Sequence, residues 1–167
     1  MALFGTDGVR GVAGVDLTAD LAFNLSTAAA SVLADLGEFA GHRPTAIVGQ
    51  DSRASGQYLE EAICRGLSSA GIDVYRVGIL PTPAISFLVK DRGADLGVMI
   101  SASHNPASDN GIKFFDKTGS KLADQIEAKI ESVLGQVVES SNGAGSVIER
   151  KKYGLKKARK RSQYSKR

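Results

Sequence analysis

Four short apolar runs constrain this chain most: TAIVGQD at 45–51, IDVYRVG at 72–78, ADLGVMIS at 94–101 and GIKFFD at 111–116. Each has the length of a buried strand. The segments around them carry helical spacing. In LTADLAFNLSTAAASVLADLG, Leu21, Leu25, Ala28, Val32 and Leu36 recur every three or four residues, with Thr18 as a candidate N-cap and Gly37 as a candidate stop. GQYLEEAICRGLSSAG predicts a second helix that ends at Gly71. Pro81 and Pro83 open a third, because proline fits a first helical turn. Leu122, Ile126, Ile130 and Leu134 mark the face of a fourth. Strands alternating with helices predict a layered α/β domain with a mostly parallel four-stranded sheet flanked by helices.

The 167 residues suffice for one ordinary domain with its own core. No apolar run approaches the roughly 20 residues of a membrane span, and the N-terminus lacks the pattern of a signal peptide. Cys64 is alone and reads as a small buried hydrophobe. A cytoplasmic setting follows as the default. The net charge of +3 conceals a split. Of 21 Lys/Arg and 18 Asp/Glu, ten and one fall in 149–167, giving +9 there; the remaining eleven and seventeen give −6 over 1–148. A mildly acidic body thus carries a strongly basic tail, and such asymmetry points to a polyanion partner for the tail alone.

In doubly wound sheets ligands sit outside the carboxyl ends of strands, and the loop 101–110 follows such an end. It offers Ser101, Ser103, His104 and Asn105, with Lys113 just beyond. Phosphoryl transfer through a serine needs an exposed hydroxyl near groups that move a proton and neutralise phosphate. The same composition also suits a plain connecting loop, since Ser and Asn favour turns through local hydrogen bonds.

FGTDGVRG at 4–11, GQDSRASG at 49–56, LPTPAISFL at 80–88 and ISASHNPASDNGIKFF at 100–115 stand in the order and spacing of the α-D-phosphohexomutases. The chain resembles the first domain of that family, in its phosphoglucosamine mutase branch, over about residues 3–135. The resemblance implies interconversion of glucosamine 6-phosphate and glucosamine 1-phosphate through a bisphosphate, on the route to peptidoglycan precursors. Ser103 then matches the phosphorylated serine, His104 its active-site neighbour, Lys113 a proton-transfer lysine and Arg10 a cleft arginine whose fork suits phosphate. Ser101 takes a supporting role. Asp7, Asp51 and Arg53 read as structural polar contacts, and His42 as a solvated loop residue. The family uses Mg2+, to which phosphorylated Ser103 would give one ligand. The Asp-Gly-Asp-x-Asp loop that supplies the rest is missing, and Asp109 with Asp116 does not make an octahedral oxygen site. The chain alone is therefore expected to be incomplete and inactive as a mutase.

The body is assigned to 1–138, and the small polar segment 139–147 reads as a linker to an extended or disordered tail, 148–167. That tail, ERKKYGLKKARKRSQYSKR with its preceding residue, is similar to the C-terminal extension of small-subunit ribosomal protein nine. The resemblance implies that Arg150, Lys151, Lys152, Lys156, Lys157, Arg159, Lys160 and Arg161 neutralise rRNA, while Lys166 and Arg167 approach tRNA phosphates. No DNA or membrane partner is expected. Two functions follow: a phosphoserine-bearing first domain acting on phosphosugars, or a ribosomal small-subunit component held by its tail. The junction reads as a fusion or frame error between genes, as a chimera on a mutase scaffold, or as a ribosome-associated protein with an exchanged core.

Overall fold

A computed structural model describes residues 2–134 in full and the backbone of 147–149 and 161–162. The elements run β1 (Val9–Val12), α1 (Ala19–Asp35), β2 (Thr45–Gln50), α2 (Gly56–Ser69), β3 (Asp73–Ile79), α3 (Thr82–Arg92), β4 (Leu96–Ile100), β5 (Asp109–Phe115) and α4 (Asp124–Val133), then two short strands, β6 (Val147–Glu149) and β7 (Arg161–Ser162). The sheet order is β1-β5-β4-β2-β3-β6-β7.

All four expected helices form. Thr18 caps α1 by accepting the Leu21 N–H at 3.1 Å, and Gly37 follows its end at φ 79°. The fourth helix is shorter than its periodicity suggested, because Leu122 enters the core from the segment ahead of Asp124. Alternation along the strands splits the core into two layers. Val9, Ala46, Val48, Val98, Ile112 and Phe114 pack toward α1, α2 and α4. Ile47, Met99 and Phe115 pack toward α3 through Ile85 and Val89. Cys64 is fully buried in the first layer, and burial pushes its thiol pKa far up, as expected for a hydrophobe.

Two features of the sheet differ from the sequence expectation. The body has five strands rather than four, since FGTDGVRG contributes β1 against β5. That strand has only four residues, one of them glycine, and gives no apolar run to read. The sheet is also mixed: β5 lies antiparallel between β4 and β1. Eight residues connect β4 to β5, too few for the crossover that a parallel return requires, so the chain turns back directly. The parallel character survives in β4-β2-β3, where Ala46 pairs with both Val74 and Leu96.

β6 adds parallel to β3, with Ile148 opposite Tyr75, and β7 adds antiparallel to β6. β6 thus starts at the last residue of the expected linker. The rest of that linker, and the tail cations other than Arg161, lie outside the described residues. No helix among the described residues is long and apolar enough to cross a membrane.

His42 is exposed but not merely solvated. Its Nε2 lies 2.6 Å from Asp95 Oδ1, and this hydrogen bond raises the imidazole pKa above its ordinary value. Glu127 is buried beside Lys121 Nζ at 2.7 Å, and burial pushes its carboxyl up against the pull of that ammonium.

Candidate active site

The loop 101–108 leaves the carboxyl end of β4, where the parallel strands β2 and β4 bring Asp51 and Arg53 beside it. Its first serine is committed on both sides. Ser101 Oγ donates to Asp51 Oδ2 at 2.8 Å and accepts the Ser103 N–H at 3.1 Å. Ser103 is exposed, and its hydroxyl has no hydrogen-bond partner among the described residues. It is also the only non-glycine residue with positive φ among those described, at 54°. A serine held in the left-handed region costs energy, of order 1–3 kcal/mol, and persists only where its surroundings over-determine it. Of the two serines, the one offered to solvent is therefore Ser103.

The surroundings are dominated by Arg53. Its Nε donates to Asp51 Oδ2 at 3.1 Å. One terminal nitrogen donates to the carbonyls of Pro106 at 2.6 Å and Asp109 at 3.0 Å. The other donates to those of Ser103 at 2.9 Å and Asn105 at 3.0 Å. Asn105 Nδ2 closes the loop on Asp109 Oδ2 at 3.1 Å, and buried Asn110 ties β5 to Ser55 Oγ at 2.8 Å. Asp51 and Arg53 are structural contacts, as the sequence suggested, but the scale of the Arg53 network has no local sequence signal.

Arg10 stands opposite Gly111 in the β1–β5 ladder, two residues from Lys113 on β5. Residues opposite one another, and residues two apart, share a face of a sheet. Arg10, Gly111 and Lys113 thus lie on the face that holds Met99 and Phe115. Lys113 Nζ sits 5.6 Å from the Phe115 ring centroid, and Arg10 lies 3.9 Å from Asp7 Oδ2. Gly111 is required here by close approach. A Cβ would meet the Ser101 carbonyl at 2.6 Å and Arg10 Cγ at 2.9 Å, so the arginine stem lies across the bare backbone beside the root of the serine loop. The topology therefore brings the Arg10 stem to the loop's first residue and puts Lys113 on the same sheet face; His104 is exposed next to Ser103.

The residues described do not fit a magnesium site on their own: no group of three or more His, Cys, Asp or Glu among them could hold a metal ion. One serine oxygen leaves a hard cation far short of its usual six oxygens.

A match to the family described as "Phosphoglucomutase/phosphomannomutase, alpha/beta/alpha domain I" spans residues 1–140. The chain belongs to this family. Among curated members, "Phosphoglucosamine mutase" of Streptomyces griseus is 65% identical over 134 residues, 80% of this chain and 30% of that protein. The protein of the same name from Streptomyces coelicolor is 67% identical over 131 residues, 78% of this chain and 29% of that protein. In structure, a phosphoglucomutase/phosphomannomutase family protein from Burkholderia thailandensis superposes with a TM-score of 0.72 at 30% identity, over 89% of this chain and 33% of that one. This family domain spans about three-tenths of the length of those curated relatives.

Proposed function

We propose that residues 1–138 are the phosphoryl-accepting first domain of a phosphoglucosamine mutase. The observation that carries this reading is the free, exposed Ser103 hydroxyl on a left-handed backbone, in a chain of this family. In the proposed reaction Ser103 Oγ attacks a phosphorus of the sugar bisphosphate. The bond to the sugar oxygen breaks, and the serine proton leaves for that oxygen. The reverse step returns the phosphoryl group to the other hydroxyl, which interconverts the 6- and 1-phosphates. Arg10 supplies a bidentate fork for phosphate, Lys113 an ammonium on the same sheet face to move the proton, and His104 a second polar group beside the nucleophile. Mg2+ would supply charge neutralisation when bound. Phosphorylated Ser103 would give it one oxygen, and the other ligands would come from outside the described residues. Sugar recognition and turnover belong to a longer chain than this, and the setting proposed for the reaction is the cytoplasm.

The test is phosphate incorporation. After incubation with glucosamine 1,6-bisphosphate and Mg2+, intact mass is expected to show one added phosphoryl group on the native chain and none on Ser103→Ala. Glucosamine 6-phosphate in the same mixture is expected to give little or no product. Phosphate on Ser103→Ala at the native level would remove Ser103 from the role.

The tail supports a second, separate reading. Ten cations against one acid in 149–167 lie beyond the family match, and we propose that this segment binds RNA phosphates, rRNA and tRNA among them. Deleting 147–167 is expected to abolish RNA mobility shifts. For the intact chain, log affinity should fall against log salt by roughly 0.7 per neutralised phosphate on single strands. Equal binding by the intact and deleted chains would sink this reading.

A further inference from the structure

We propose that Arg53 is the positioning residue that shapes the serine loop and holds Ser103 in its left-handed backbone. A guanidinium carries five N–H donors in a rigid plane. All five are used here: one on Asp51 Oδ2 and four on the carbonyls of Ser103, Asn105, Pro106 and Asp109. No donor remains for phosphate, so Arg53 is not a phosphate ligand despite its place beside the loop. Its charge is balanced by Asp51 at 3.1 Å, and its side chain is only 12% exposed.

The network grips Ser103 from both ends of the residue. Its carbonyl accepts directly from Arg53. Its N–H donates to Ser101 Oγ, whose own proton goes to Asp51 Oδ2, the oxygen that also accepts from Arg53 Nε. With both peptide groups fixed, the strained φ of 54° is the conformation that satisfies every partner. The hydroxyl is left over, free to react. Lysine cannot replace this fork, since three donors on a flexible stem do not reach five acceptors spread in a plane.

The catalytic meaning of this role rests on Ser103 being the phosphoryl acceptor; the shape of the loop does not. Two readouts on the full chain keep them apart. Amide hydrogen exchange in Arg53→Met is expected to accelerate at least about tenfold over 102–109 while β2 and β4 keep their protection. Millimolar methylguanidinium should reverse the acceleration. Arg53→Lys should fold and fall between the two, and serves alone where the methionine variant does not fold. Phosphoryl uptake from glucosamine 1,6-bisphosphate should slow in step with loop exchange. Unchanged loop exchange, or acceleration shared equally by β2 and β4, would overturn the proposal, as would native uptake rates in a variant whose loop has loosened. If the native chain takes up no phosphate, exchange alone decides the hold of Arg53 on the loop.

Discussion

Phe114→Ala is expected to destabilise the chain by about 3–5 kcal/mol, as measured by the shift of the urea midpoint at constant m-value. Phe114 is fully buried on β5, paired in register with Val98 of β4. Its ring centroid lies 6.2 Å from that of Phe4, at an interplanar angle of 49°. Phe4 is held in turn by its N–H on a Glu131 carboxylate oxygen of α4 at 2.9 Å, which also accepts the Leu3 N–H. Removing the ring therefore empties a space bounded by the sheet, the N-terminal segment and α4, none of which can collapse without breaking its own hydrogen bonds. A small domain has about 5–15 kcal/mol of stability in total, so the loss is a large part of it. A change under about 1 kcal/mol would mean that the site closes up freely and that the N-terminal segment is not packed as described.

Gly8→Ala is expected to cost about 2–5 kcal/mol and to loosen β1 selectively. Gly8 has φ 85°, where an L side chain is strained by roughly 1–2 kcal/mol. The added Cβ would also lie 2.3 Å from the Ile112 carbonyl oxygen and 3.0 Å from Lys113 Cα, both backbone atoms of β5. Overpacking of this kind costs a further 1–3 kcal/mol or so, because a strand and not a side chain must move. The strand that moves carries Arg10. Exchange at the amides of Arg10 to Val12 should therefore accelerate beyond the global change, and native stability in this variant would mean that β1 does not dock in this register.

Much of this fold is local in origin and could be read from the chain. Apolar runs of strand length, helical spacing, the Thr18 cap and the prolines ahead of α3 each act within a few residues, so periodicity alone places four strands and four helices. The order and spacing of four motifs likewise pointed to the family and to Ser103. What stayed hidden depends on partners distant in sequence. β1 is too short and too glycine-rich to carry a pattern, and it exists because β5 offers a ladder. β5 runs antiparallel because its connection is short, a matter of chain geometry rather than propensity. Composition allowed either Ser101 or Ser103 to be the free hydroxyl. Only the pairing of β2 with β4 decides between them, by bringing Asp51 and Arg53 across fifty residues to engage the first serine and brace the second. Hydrogen-bond acceptors are consumed in three dimensions, and no window of sequence records which ones are already taken.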